Sequence, residues 1–163
     1  MPTFTETHAR QADDVYRLDG FKPPRPYEVR TVYESPSGYR GVVYRNMESG
    51  DYVVAHTGTE FDTDKIRDGL LTDAQMILVD VNQQLDDARD LVELAVKMAK
   101  RDGTRVTSTG HSLGGFLTQA TSHEYGIPGE TFNFHPRQST EHHHWSHKII
   151  PLQMLAAWHT ANR

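Results

Sequence analysis

The chain has 163 residues, 36% of them apolar, and a mean hydropathy of −0.65. That describes one soluble domain with a real but modest core. A formal net charge of −5 without any basic run argues against nucleic acid as a partner, and the lack of cysteine excludes disulfides, thiolate metal sites and a cysteine nucleophile.

The N-terminal segment "MPTFTETHARQADDVYRLDG" is polar and lacks the apolar centre of a signal peptide. No run approaches the roughly 20 apolar residues of a membrane helix. The expected location is the cytoplasm, or outside the cell by a route that does not read a standard signal. Residues 1–26, ending in "FKPPRP", read as an approach segment and loop. Three runs then have strand character: Tyr27–Glu34, Tyr39–Asn46 and Asp51–Thr57. Their connections, "SPSG" and "MESG", are short and turn-like, which predicts antiparallel hairpins at one edge of a sheet.

Beyond Thr63 the pattern changes. "TDKIRDGLLTDAQMIL" reads as a loop with helical pieces, and "NQQLDDARDLVELAVKMAKRDG" as a clear helix. Asn82 is placed to cap it, Leu85, Ala88, Leu91, Val92, Ala95 and Met98 recur at helical spacing, and Gly103 can end it. "TRVTSTG" follows as a strand, then a helix from Ser112 with Leu113, Phe116, Leu117 and Ala120 on one face, then a strand over Gly129–Phe134. Strand, helix, strand, helix, strand with short connections implies crossover units. The fold class is therefore α/β: a mixed sheet with a parallel core and antiparallel edge hairpins, in a single domain spanning 1–163. No internal repeat is present.

The chemistry centres on Gly110-His111-Ser112-Leu113-Gly114-Gly115. A nucleophile exposed at a strand-to-helix junction needs a very sharp turn, in which Cβ atoms two residues to either side of the serine would collide. Glycine at 110 and 114 removes that conflict. The helix starting at Ser112 also aims its dipole and free N–H groups at any developing oxyanion. Bare G-x-S-x-G arises by chance in roughly one chain in twenty at average usage, so the preceding strand and following helix carry the reading. The bland alternative is a glycine-rich turn with an incidental serine. In an α/β-hydrolase one oxyanion donor is the N–H after the nucleophile, here Leu113, and the other comes from a loop after an earlier strand. "DYVVAHTGTEFD" runs into Thr57-Gly58-Thr59, a loop of that kind.

On these two motifs the chain resembles the class-three, fungal-type lipases, and most closely their bacterial phospholipase-like members. The strand ending in a Gly-Thr turn, the elbow Gly-His-Ser-Leu-Gly-Gly and the long helix between them carry the likeness, over about residues 27–133. The resemblance implies an α/β-hydrolase fold, Ser112 as nucleophile, Thr59 and Leu113 as oxyanion residues, a structural role for His111, and no cofactor. Thr57 stands where the family usually has arginine, which leaves open how the loop is braced. The substrate implied is an acyl lipid or small ester, with peripheral contact to membrane lipid.

A triad in this fold runs Ser, then Asp or Glu, then His. No Asp follows Asp102, and the later acids are Glu124, Glu130 and Glu141. Glu124 sits on the helix behind the serine and Glu130 begins a strand, so Glu141 is the candidate acid. His159 is the candidate base by its separation from Glu141, and His147 is next; the bland alternative is a set of solvated surface histidines. "EHHHWSH" also permits a metal between His143 and His147 with Glu141 nearby, but nothing indicates a supporting shell, and no metal is expected. Residues 134–163 abandon the preceding rhythm and read as an atypical, short or truncated tail, packed poorly or as one helix around "PLQMLAAWH". Weak or no turnover is the expectation unless that tail completes the triad. The competing functions are an acyl-lipid ester hydrolase, a catalytically impaired relative that binds a lipid or protein, and another acyl hydrolase such as a thioesterase.

Overall fold

A computed structural model of the chain describes residues 3–17, 19–58 and 74–132, with backbone alone for 74–80. Helix α1 (Phe4–Asp14) comes first, followed by strands β1 (Tyr27–Glu34), β2 (Arg40–Asn46) and β3 (Tyr52–His56). Helix α2 (Ala74–Asp102), strand β4 (Val106–His111), helix α3 (Leu113–Tyr125) and strand β5 (Gly129–Phe132) complete the order. The strands form one sheet in the order β1-β2-β3-β4-β5. β1 to β3 are antiparallel neighbours, and β3, β4 and β5 are parallel. This is the mixed sheet with an antiparallel edge that the sequence predicts.

Side chains alternate across a strand, and the core divides accordingly. Val43, Tyr52 and Val54 face α2 and α3, where they meet Leu85, Ala88, Leu91, Val92, Ala95 and Leu117. Val42, Tyr44, Val53 and Ala55 face the other way, towards Val15 just beyond α1. Ala9 and Ala12 of α1 pack with Phe132 of β5. Both faces of β3 are thereby covered, and all five of its residues are buried. Arg89 of α2 joins Glu124 of α3 at 2.8 Å, which links the two helices to each other.

Two expectations need correcting. Residues 1–26 are not simply an approach segment, because α1 occupies Phe4–Asp14. Its start is a capping box, with Glu6 N–H on Thr3 Oγ1 at 3.2 Å and Thr3 N–H on Glu6 Oε2 at 2.7 Å. Asn82 does not cap α2 either; the helix begins at Ala74, two turns earlier, and Asn82 lies in its interior. Gly103, at φ +67°, follows the last turn as expected.

The buried face of α1 is unusually polar. It carries Thr7, His8, Gln11 and Asp14 alongside Ala9 and Ala12. His8 Nδ1 lies 3.0 Å from Glu130 Oε2 on β5, and its Nε2 lies 3.0 Å from Thr107 Oγ1 on β4. Burial pushes the imidazole pKa down, partly opposed by the Glu130 carboxylate. Asp14 accepts Tyr44 O–H at 3.0 Å and Lys22 N–H at 2.6 Å. These bonds orient α1 on the sheet, where apolar contact alone would allow it to slide.

Candidate active site

The β3–β4 register pairs His56 with Gly110. The chain leaving β3 at Thr57-Gly58 therefore runs beside His111-Ser112-Leu113 as it leaves β4. Ser112 sits between β4 and α3 at φ 54° and ψ −127°, the only non-glycine residue with positive φ among those described. A side chain held there is strained by about 1–3 kcal/mol. Serine commonly caps a helix with its own hydroxyl, but Ser112 makes no such bond and is exposed. Its N–H is held by Phe132 O at 3.3 Å, tying the turn to the end of β5.

Three glycines permit this turn, each through a close approach. A Cβ on Gly110 would run into the backbone carbonyl of Gly114, and one on Gly114 into the His56 carbonyl at the end of β3. A Cβ on Gly58 would lie 2.8 Å from Leu113 Cβ and 3.0 Å from Leu113 N. Gly58 is not at positive φ, so the need for glycine there comes from proximity to that amide. The amides of Leu113 and Gly114 open the first turn of α3, where no intrahelical acceptor exists, and the dipole there favours negative charge.

The loop opposite is braced by contacts the sequence does not reveal. Thr57, in place of the arginine usual in the resembling family, bonds the Arg40 carbonyl through its N–H at 2.9 Å and its hydroxyl at 2.7 Å. Gly58 N–H donates to Tyr16 Oη at 2.6 Å. Both described amides of the loop are thus already engaged. Thr59, the expected second oxyanion residue, lies outside the described residues, as do Glu141, His147 and His159; Gly58, immediately before Thr59, is the residue that touches Leu113.

Below the loop, His56 is fully buried between Tyr39 Oη, 2.7 Å from its Nδ1, and Ser108 Oγ, 3.1 Å from its Nε2. Burial lowers the imidazole pKa from 6.5 to about 3 and raises that of the Tyr39 phenol. A protonated phenol donating to Nδ1 leaves Nε2–H to donate to Ser108, which satisfies all three groups. Unfolded, His56 takes up a proton near 6.5; folded, only near 3. Between those values the unfolded chain binds more protons, so stability falls as the pH drops from about 6.5 towards 3. This one group contributes at most about 1.4 kcal/mol per pH unit. Urea unfolding at several pH values is expected to show a shallower slope in His56→Gln, and an unchanged slope would refute the assignment. Among the described residues, no group of three His, Asp or Glu side chains could hold a metal ion.

Sheet order, register and the strained serine turn together define a lipase-like α/β fold. The chain belongs to the Tle-like phospholipase domain family, whose pattern it matches over residues 7–140. Among solved structures it is similar to the Lip2 lipase of Yarrowia lipolytica, with a TM-score of 0.53 and 18% identity over 80% of this chain. The nonglycosylated form of that lipase gives 0.55 and 18% over the same share. The Rhizomucor miehei lipase–propeptide complex gives 0.48 and 14%, over 66% of this chain and 40% of that one. The chain spans 56% and 57% of the two Lip2 structures. No curated protein matches it in sequence.

Proposed function

We propose that the chain hydrolyses a carboxylic ester of an acyl lipid, phospholipid being the class its family suggests, through an acyl-enzyme on Ser112. Ser112 Oγ attacks the ester carbonyl while a histidine removes its proton. The oxyanion of the tetrahedral intermediate accepts hydrogen bonds from Leu113 N–H and Thr59 N–H. Collapse expels the alcohol, protonated by the same histidine, and water then releases the fatty acid by the reverse sequence. His159 is the first candidate for that histidine, with Glu141 as its acid and His147 as the second choice.

The observation that carries this reading is the exposed, uncapped Ser112 at positive φ, with the Thr57-Gly58 turn against the Leu113 amide. Strain of this kind persists only where surrounding structure enforces it, and here three backbone close approaches do so. No helix among the described residues is long and apolar enough to cross a membrane. A fluorophosphonate probe is expected to label the wild-type chain at Ser112 and to leave Ser112→Ala unlabelled. An unlabelled wild-type chain would favour the reading in which a lipase-like scaffold only binds its lipid.

A further inference from the structure

Tyr16 lies two residues beyond the end of α1, outside the sheet, yet it touches both halves of the candidate site. Its phenol oxygen accepts Gly58 N–H at 2.6 Å. Its ring stacks on that of His111, with centroids 4.4 Å apart and planes 15° from parallel. Gly58 immediately precedes Thr59, and His111 immediately precedes Ser112. We propose that Tyr16 is a positioning residue for hydrolysis at Ser112, holding the oxyanion loop in register with the nucleophile turn; this rests on the function proposed above.

The need for such a residue follows from the packing. Close approach to Leu113 forces glycine at 58, and glycine is the residue with the softest backbone. The contact that brings the loop to the nucleophile therefore deprives it of a side chain with which to anchor itself. Rotation of the peptide before Gly58 would break the close approach of this loop to the Leu113 amide. Tyr16 supplies the missing anchor by fixing that peptide's N–H. A donor held in place stabilises the transition state far better than one that must reorganise, and a misplacement of about 1 Å can cost on the order of 100-fold in rate.

The anchor is itself held. Tyr16 N–H bonds Asp13 O at 3.3 Å, and Asp14 alongside is fixed by Tyr44 and by the Lys22 amide. Burial lowers the His111 pKa, against the opposing pull of Asp13, so the stacked imidazole is neutral at neutral pH. Two uncharged rings at this separation attract through an offset stack. Tyr16 thus joins the turn after β4 to the turn after β3 through a hydrogen bond on one side and a ring face on the other.

The oxyanion exists only in the transition state, so a loosened donor lowers kcat and leaves KM alone. Tyr16→Phe keeps the ring and removes the acceptor. With a short-chain nitrophenyl ester, it is expected to lower kcat by about 10- to 100-fold with KM within about twofold of wild type, and to slow fluorophosphonate labelling in proportion. Tyr16→Leu, which also loses the stack, should be slower still. Tyr52→Phe removes a comparable phenol bond remote from the serine turn, that to Asp102 at the end of α2 at 2.6 Å, and should lower the melting temperature while leaving kcat of the folded protein unchanged. Wild-type kcat in Tyr16→Phe, or an equal loss in Tyr52→Phe, would overturn the positioning role alone. A wild-type chain that neither labels nor turns over would instead remove the proposed function, and this role with it.

Discussion

Replacing Ser112 with alanine is expected to reduce ester hydrolysis by on the order of 10⁵- to 10⁶-fold, leaving only what the remaining site does for attack by water. The fold should survive, because the Ser112 side chain is exposed and makes no capping bond. Ser112→Gly makes the sharper comparison. Glycine accepts φ 54° without the strain that serine or alanine carries there, so the glycine variant should melt no lower than the alanine variant while being equally inactive. A loss of activity with unfolding in both would contradict the reading. His159→Ala belongs in the same series. Turnover lost with both Ser112 and His159 identifies His159 as the base, whereas loss with Ser112 alone directs attention to His147.

Gly114→Ala is expected to destabilise the fold by about 3 kcal/mol or more and to abolish labelling at Ser112. The added methyl would overlap the His56 carbonyl, and Thr57 C lies 3.0 Å away. All the atoms involved are backbone, so no rotamer change can relieve the overlap. The first turn of α3 would have to withdraw from β3, carrying the Leu113 amide away from the loop. Gly126→Ala is the matched control. That glycine ends α3 at φ +63°, and a Cβ there would meet nothing within 4 Å. Its cost is confined to backbone strain, about 1 kcal/mol, and labelling should be retained. Thermal unfolding and probe labelling of the two variants decide the matter; a Gly114→Ala chain that melts and labels like wild type would refute the packing argument.

The sheet and the serine turn were legible because their signals are local. Hairpin turns, a β-branched run before His56 and the glycines around Ser112 each act within a few residues of their own position. Helix α1 was not legible, although Thr3 and Glu6 form a recognisable capping pair. The box normally precedes an apolar stripe, and here the buried stripe is Thr7, His8, Gln11 and Asp14. Such a face has meaning only once Thr107, Glu130 and Tyr44 are in place to bond it. The early start of α2 is hidden in the sequence because Asn82 is a good capping residue, and the helix nevertheless runs through it from Ala74. Tyr16 and His56 are not legible for a related reason: each bonds a strand or turn far away in sequence, and no spacing rule connects them. What the sequence did offer at Thr57 was a departure, and the two bonds to the Arg40 carbonyl show how threonine braces the loop without arginine.

The polar face of α1 also sets an order of events during synthesis. The helix is made first, but Thr107 comes 99 residues after His8, and Glu130 comes 125 residues after Thr5, which donates to it at 3.0 Å. A ribosome adding about 5–20 residues per second would leave that face without its partners for several seconds or longer. An isolated helix of 11 residues is marginal in water, so α1 gains its lasting shape only when β4 and β5 have emerged and paired. Tyr16, carried just behind α1, arrives with it. The nascent chain therefore completes its nucleophile turn before Tyr16 docks against it, so a segment made early is the last to join the site.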